Sequence, residues 1–263
     1  MTDAAGAGEH SFTTDAFHRG GFFLVQPAKK GHRAGTDALL LAAAVPSGFS
    51  GRLVDLGAGA GAAGLAVAAR CSNAEVLLVE NAPEMAECAR ASLALPQNAH
   101  LSARCAVLEA DVRLADAARR KAGLADFAYD FTILNPPFNP ASDRPSPDAL
   151  RRHAHVMEDE TLIQDWLKTA GWITKPGGGV AIIARPQSLP QVLSGFGDFG
   201  AIRIRPVHPR ADRPAIRFVA RGIAGVARDI QLMPPLILHA EGSNRFTPEA
   251  EAIGEGRASL FGD

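Results

Sequence analysis

The stretch Val54-Asp55-Leu56-Gly57-Ala58-Gly59-Ala60-Gly61 decides the fold that this sequence predicts. It joins a short apolar strand, Arg52 to Leu56, to a helix that runs through Arg70. Along the 263 residues, further apolar strands alternate with helical segments, and two adjacent strands follow near the C-terminus. This alternation predicts an α/β fold with a mostly parallel sheet and helices on both faces. In such sheets, ligands bind beyond the carboxyl ends of the strands.

The predicted elements follow one another closely along the chain. Strands are predicted at residues 21–26, 52–56, 75–80, 100–108, 129–134, 179–184, 201–207 and 215–220, with an edge strand at 236–239. Helices are predicted at residues 38–45, about 64–70, 83–95, 112–123, 160–173 and 189–199, with weak helical character within 245–261. Thr36 or Asp37 suits the N-cap of the first helix. Trp166 and Trp172 are expected in the core.

The phase of the glycines distinguishes between two kinds of cofactor. Gly59, Gly61 and Gly64 match the G-x-G-x-x-G fingerprint of dinucleotide sites. However, Asp55 ends the strand just before the first glycine, where a carboxylate would repel a pyrophosphate. It suits an amino group instead, held directly or through water. The loop therefore favours a cofactor that has an ammonium group and lacks phosphates.

Further acids end or follow the next two strands. Glu80 ends the strand at 75–80, where a carboxylate can accept hydrogen bonds from both hydroxyls of a ribose. Asp111 follows the third strand, where it could accept a hydrogen bond from an adenine amino group. An ammonium, a ribose and an adenine without phosphate describe S-adenosylmethionine. The array therefore favours this cofactor over a dinucleotide.

The tetrapeptide Asn135-Pro136-Pro137-Phe138 follows the apolar strand at 129–134. The prolines fix the backbone and remove two N–H donors, so their carbonyls have little local competition. Asn135 adds a side-chain carbonyl, and Phe138 adds a flat apolar face. The motif predicts a cradle for a planar group that carries an NH2, and hence methyl transfer to an exocyclic amine or amide. No Pro-Cys pair lies at this strand end, which disfavours cytosine carbon methylation through a thiolate.

Charge and composition bear on three other properties, namely RNA binding, metal binding and membrane insertion. The net charge of −1 does not by itself indicate nucleic-acid binding, but three basic segments accompany the predicted site. The candidate RNA contacts in them are Lys29, Lys30, Arg33, Arg144, Arg152, Arg213 and Arg217. The three cysteines form no C-x-x-C, so no metal site is expected. No apolar run approaches the roughly 18 residues of a membrane span and no signal peptide is evident, so we expect a cytoplasmic protein.

From about Gly20 to Val219, the chain resembles class I S-adenosylmethionine-dependent methyltransferases of the small-domain group. It most resembles the tRNA1(Val) adenine-N6-methyltransferase family, which modifies the adenine beside the anticodon. The resemblance rests on Gly21-Phe22-Phe23, the run from Gly35 to Leu41, the glycine loop, the Asn-Pro-Pro-Phe motif, and the late basic strand from Arg213 to Arg217. Phe138 stands where Tyr is common in the family. A phenylalanine there can still stack on the substrate, but it lacks the hydroxyl group of tyrosine.

The resemblance implies a Rossmann-like class I methyltransferase fold with a mostly parallel seven-stranded sheet and a C-terminal antiparallel hairpin. Residues 1–19 are expected to be flexible and 20–263 to form one domain, with an N-terminal hairpin and helix extension at 20–50 and the Rossmann-like core at 51–263. It implies that the cofactor is bound by Thr36, Asp37, Asp55, Gly57, Gly59, Gly61, Glu80, Asp111 and Asn135. It implies that the target amine is held by Asn135, Pro136, Pro137 and Phe138. RNA, with tRNA preferred, is the implied partner.

Other acceptors and classes remain open at this stage. Small rRNA guanine-N2 methyltransferases also carry Asn-Pro-Pro-Phe. Protein glutamine-N5 methyltransferases share Asn-Pro-Pro, but in them a helical domain of several dozen residues precedes the glycine loop. Here about 50 residues precede it, and they contain a predicted strand. A catalytically silent RNA-binding module is disfavoured because Asn135 and the glycines are present, and a nicotinamide oxidoreductase is disfavoured by Asp55.

Overall fold

Apolar runs form the strands of this protein, and runs rich in alanine and leucine form many of its helices. The computed structural model describes residues 12–28, 34–137 and 161–263. Within these residues the strands are β1 (Phe12–Phe17), β2 (Phe22–Pro27), β3 (Ser50–Leu56), β4 (Asn73–Glu80), β5 (Cys105–Glu109), β6 (Tyr129–Leu134), β7 (Thr174–Ala184), β8 (Phe199–His208), β9 (Arg217–Ala224), β10 (Ile230–Leu232) and β11 (Leu236–Ile237). The helices are α1 (Thr36–Ala43), α2 (Ala62–Arg70), α3 (Pro83–Ala94), α4 (Ala99–Ser102), α5 (Asp116–Lys121), α6 (Leu162–Ile173), α7 (Leu189–Gly195) and α8 (Pro248–Gly254).

Nine of the described strands form one mixed sheet, and β1 and β2 form a separate antiparallel pair. The seven longer strands lie across the sheet in the order β5-β4-β3-β6-β7-β9-β8, and the short β10 and β11 both pair with β8. Strands β3 to β7 are parallel, whereas β9 is antiparallel to both of its neighbours. The predicted α/β sheet with a C-terminal antiparallel hairpin is confirmed. The chain reverses its direction across the sheet between β3 and β6, where sheets of this kind bind ligands.

An apolar layer covers each face of the sheet. On one face, Leu53 of β3 packs in a core that includes Leu65 of α2. On the other face, Val54 lies in a core with Ile163 and Leu167 of α6. Because the inner strands are covered on both sides, they are apolar at nearly every position. This double burial explains why β3 and β6 can be recognised in the sequence.

Residues 12–19 do not match the predicted flexible N-terminus, because they form β1 and most of a short 3-10 turn. Strand β1 pairs with β2 over its whole length. Asp15 Oδ2 supports the pair by accepting hydrogen bonds from Thr13 Oγ1 at 2.9 Å and from Gln26 Nε2 at 2.7 Å. No residue of β1 is fully buried, so the strand has no clear apolar signature in the sequence.

The structure corrects smaller predictions as well. The predicted strand at 100–108 is divided into α4, which buries Leu101, and β5. The N-cap of α1 is Gly35, and no side chain caps this helix. Strand β10 was not predicted, because all three of its residues are exposed and the strand exists only through its pairing with β8.

Candidate functional site

The carboxyl edge of the parallel strands collects most of the predicted site. The glycine loop follows β3, Glu80 ends β4, Asp111 follows β5 and Asn135 follows β6. The register places Leu56 opposite both Val79 of β4 and Leu134 of β6, so the neighbouring strands end at the same level. The structure therefore brings to one edge the groups that are dispersed over about 80 residues of the sequence.

The glycine loop is pinned to the neighbouring strand by its backbone. The amides of Gly57 and Ala58 both donate to the carbonyl oxygen of Val79, each at 2.9 Å. Gly57, Gly59 and Gly61 have φ values of +71°, +57° and +94°, in the region that favours glycine. The loop is thus a tight turn with little bulk on its backbone, as close approach of a ligand requires.

Glu80 connects this loop to the turn that follows β4. Its side chain is buried, and its Oε2 accepts a hydrogen bond from Gly59 N at 2.8 Å. Its Oε1 accepts one from Ala82 N, also at 2.8 Å. Each carboxylate oxygen keeps a further lone pair. The same side chain can therefore hold the loop in place and accept the hydroxyls of a ribose.

Asp55 lies beneath the loop and is 1% exposed. Its Oδ2 accepts a hydrogen bond from Gly64 N at 2.9 Å, in the first turn of α2. Burial raises the pKa of Asp55 to about 7, against the lowering effect of the Gly64 amide and with a further rise caused by the nearby charge of Glu80. The carboxyl group that the sequence assigned to an ammonium therefore also anchors the start of α2.

Asp111 is the more exposed of the acids at this edge. Its Oδ1 accepts a hydrogen bond from Arg113 N at 2.8 Å, which forms a local turn. The next residue, Val112, is bound to α6, because Thr169 Oγ1 of this helix donates a hydrogen bond to the Val112 carbonyl oxygen at 2.8 Å. The loop after β5 is therefore fixed in position, with a half-exposed carboxylate at its start.

Asn135 carries a buried side-chain oxygen directly after β6. Its Oδ1 is buried and makes no hydrogen bond with the described residues. Pro136 beside it is buried and Pro137 is half-buried. A buried carbonyl oxygen without a donor is rare in native structures and is destabilising unless water or a ligand satisfies it. Phe138, the fourth residue of the predicted catalytic motif, lies outside the described residues.

Asp37 and Arg217, which were predicted to bind cofactor and RNA, bind each other. Arg217 Nε donates to Asp37 Oδ2 at 2.8 Å, and both side chains are about three-quarters buried. The pair joins the start of α1 to the start of β9 at the carboxyl edge of the sheet. The RNA contact of Arg217 stays a prediction, and in the structure this side chain forms an internal ion pair. Thr36 is exposed next to it.

Arg213 lies in the hairpin loop between β8 and β9. Because β8 is antiparallel to β9 and β9 is antiparallel to β7, this loop lies at the same edge as Asn135. The Arg213 side chain is 68% exposed. Other arginines of this basic segment are engaged internally, including Arg205 with Glu249. The remaining predicted RNA contacts, Lys29, Lys30, Arg33, Arg144 and Arg152, lie outside the described residues.

Trp166 is a neighbour of the loop that the sequence did not reveal. A Cβ placed on Gly57 would lie 2.3 Å from Trp166 Cη2, so the indole occupies the space beside this glycine. The ring was expected in the core, but it is only half-buried. An aromatic residue on an amphipathic helix carries no signal that could have identified this contact.

Within the described residues, no group of three or more His, Cys, Asp or Glu side chains could hold a metal ion. None of the helices in residues 12–28, 34–137 and 161–263 has both the length and the apolar character needed to cross a bilayer.

Comparison with known proteins gives a consistent picture of this fold. The family model described as "Methyltransferase small domain" matches residues 28–201. A solved protein from Agrobacterium tumefaciens, described as a predicted O-methyltransferase, is 42% identical, with a TM-score of 0.74 and coverage of 85% of this chain and 98% of that chain. A search among curated proteins finds no match.

More distant solved structures share the fold alone. The M. jannaschii protein TYW2, solved in complex with AdoMet, is 11% identical, with a TM-score of 0.54 and coverage of 82% of this chain and 87% of that chain. A T. thermophilus 16S rRNA N2 G1207 methyltransferase, solved with AdoMet and guanosine, is 20% identical, with a TM-score of 0.51. In that comparison 81% of this chain and 50% of the other are covered.

Proposed function

We propose that this chain, which belongs to the methyltransferase small-domain family, transfers a methyl group from S-adenosylmethionine to the exocyclic amine of a nucleobase in RNA. Methyltransferase activity and the cofactor follow from the family and the fold. The acceptor is the proposed step. Adenine N6 in tRNA is the preferred acceptor, because the motifs of this chain resemble those of the tRNA adenine-N6 enzymes.

The observation that carries the acceptor class is the buried Oδ1 of Asn135, which has no hydrogen-bond partner among residues 12–28, 34–137 and 161–263. This oxygen follows β6, next to the strand that leads into the glycine loop. An amide oxygen accepts a hydrogen bond but does not act as a base at neutral pH. It therefore matches an acceptor that brings its own N–H donor, such as an aromatic amine or an amide.

The residues of the loop fit the methyl donor. Its turn presents left-handed glycines, and the side chains of Asp55 and Glu80 lie directly beneath and beside it. We infer that Glu80 accepts the ribose hydroxyls and Asp111 the adenine amine. Asp55 lies beneath this turn, and a nearby ammonium would favour the ionised form of its carboxyl group against the effect of burial. Two carboxylates next to the turn would oppose a pyrophosphate and are compatible with a donor that has no phosphate.

Bound S-adenosylmethionine supplies an activated methyl group on a sulfonium. Asn135 Oδ1 accepts one N–H of the target amine, and the Pro136 carbonyl accepts the other. These bonds favour the pyramidal nitrogen whose lone pair attacks, which is stabilisation preorganised for the transition state. They would also fix the orientation of the amine beside the donor, so that the two reactants meet in a productive arrangement. After methyl transfer the nitrogen would release one proton to solvent.

Arg213 supports a nucleic-acid acceptor. It is exposed in a loop at the edge of the sheet where the methyl group would be transferred.

Guanine N2 is the second candidate base, because Asn-Pro-Pro-Phe also serves that amine. Glutamine N5 in a protein would satisfy the same Asn135 oxygen. Hydroxyl acceptors, the class in the description of the A. tumefaciens relative, need a base to remove their proton.

Transfer of a labelled methyl group tests this proposal directly. The protein is incubated with labelled S-adenosylmethionine and either total RNA or total protein, and modified RNA is digested to nucleosides. We expect label in RNA and its recovery as N6-methyladenosine. Label in N2-methylguanosine would replace the preferred base. Label in protein, or in neither polymer, would overturn the RNA proposal.

Variants of Asn135 test the mechanism separately from the acceptor. Asn135→Ala removes the acceptor oxygen, so kcat should fall about 100-fold to 1,000-fold, the usual effect of one preorganised hydrogen-bonding group. Calorimetry should show the affinity for S-adenosylhomocysteine within about threefold of the parent. Asn135→Asp is the matched control, because it keeps a carbonyl-type acceptor and should retain more activity than the alanine variant. Loss of cofactor affinity in Asn135→Ala would instead assign the side chain a structural role.

A further inference from the structure

We propose that Trp166 forms an aromatic wall of the methyl-donor site and contacts the amino-acid portion of the bound donor. This inference rests on the proposed function, because it concerns the loop to which that function assigns the donor. Trp166 then acts as a binding and positioning residue whose ring faces the ligand.

The contact between Trp166 and the loop is close and involves the six-membered ring of the indole. A Cβ on Gly57 would lie 2.3 Å from Cη2, 2.6 Å from Cζ3 and 3.4 Å from Cζ2 of Trp166. No side chain can be added at residue 57 without moving this ring. The indole therefore lies within van der Waals distance of the backbone that we assign to the donor.

The orientation of α6 explains why this ring reaches the site. Ile163, Leu167 and Ala170 of the same helix are buried in the core on one face of the sheet. Trp166 packs at the border of that core and remains half-buried. Helix α2 begins on the other side of the loop. The loop therefore lies between α2 and the Trp166 ring.

The chemistry of an indole suits this position. Its face attracts cations, and the donor carries an ammonium and a sulfonium. Its apolar surface also excludes water from the methyl group. The protein's other tryptophan provides a contrast, because Trp172 is flanked by Arg119 and Lys168, which lie 5.4 Å and 5.1 Å from its ring centroid. Trp172 therefore already has cationic partners and lies about 9 Å further along the helix axis.

Fluorescence can test this contact because the chain has two tryptophans. The Trp172→Phe variant keeps Trp166 as its only tryptophan. Acrylamide quenching is measured with and without S-adenosylhomocysteine at a concentration shown by calorimetry to saturate the protein. We expect the ligand to lower the quenching constant at least twofold. The matched variant Trp166→Phe, which reports on Trp172, should show no change on ligand addition.

Affinity provides the second measurement. Trp166→Ala should raise the Kd for S-adenosylhomocysteine at least tenfold, whereas Trp172→Phe should stay within about threefold of the parent. If Trp166→Ala does not fold, the quenching result on Trp172→Phe decides, since that variant leaves Trp166 intact. Ligand binding without protection of Trp166 would overturn the inference and leave the proposed function standing. Failure of the unmodified protein to bind the ligand would overturn the function as well.

Discussion

The buried carboxyl group of Asp55 should make the stability of this protein fall as the pH rises. Burial raises its pKa from an ordinary value of 3.8 to about 7, so the folded protein retains a proton that the unfolded chain has lost. Between these two pH values, the unfolded state binds fewer protons, and folding is progressively disfavoured. At 1.36 kcal/mol per pH unit the full effect is about 4 kcal/mol, of which about 3 kcal/mol falls between pH 5 and pH 8.

Asp55→Asn isolates this effect. The asparagine keeps an oxygen that can accept from Gly64 N, which Asp55 binds at 2.9 Å, but it has no proton to lose. Unfolding free energies of both proteins are measured in urea at pH 5, 6, 7 and 8. The unfolding free energy of the parent minus that of the variant should decrease by about 3 kcal/mol from pH 5 to pH 8. A difference that stays level would mean that the Asp55 carboxylate is ionised throughout, and the explanation by burial would be refuted.

Asp130 at the opposite edge of the sheet supplies the control. Partial burial acts to raise the pKa of Asp130, but hydrogen bonds from Lys175 and from the Arg52 amide hold it below its ordinary value. Its stabilisation is therefore present above the unfolded pKa and is lost only as the pH falls through the acid range. For Asp130→Asn, the difference from the parent should be constant between pH 5 and pH 8.

Three further predictions concern contacts at the site. Gly57→Ala should lose about 1–3 kcal/mol more unfolding free energy than Gly177→Ala. The φ values are alike, at +71° and +76°, but only the new methyl group at residue 57 meets the Trp166 ring. Equal losses in urea unfolding would mean that the ring moves aside without cost. Arg213→Ala should weaken the binding of labelled tRNA and reduce the slope of log affinity against log salt by about one. Arg217→Ala should instead lower the free energy of unfolding by about 1–3 kcal/mol, because Asp37 loses its ion-pair partner. An unchanged salt slope for Arg213→Ala would place the RNA elsewhere.

Much of the site could be predicted because its polar residues lie at the ends of strands that the sequence reveals. Glu80 and Asn135 each end or follow a buried strand, and parallel strands end at one edge whatever their partners are. The glycine loop was also readable, because left-handed backbone at Gly57 and Gly59 is a property of the residue type. The sheet with its late hairpin followed from the alternation of strands and helices.

Contacts between distant segments could not be predicted in this way. Arg217 and Asp37 were each assigned to a ligand, yet they are 180 residues apart in sequence and bind each other. A charged side chain in a sequence does not disclose whether its partner is solvent, RNA or another residue of the chain. Strand β1 was missed because its residues alternate between exposed and half-buried, which leaves no apolar pattern.

The sequence by itself determined most strands and helices of the sheet, the glycine turn and the polar groups at the strand ends, because periodicity and backbone preference act over a few residues. Only the tertiary structure decided that Trp166 lies against Gly57, that Asp55 is buried beneath the loop, and that Asn135 Oδ1 has no partner among the described residues. Those facts depend on how helices pack across the sheet and which groups lose their water. Packing and desolvation are properties of the assembled molecule, which is why no local pattern contains them.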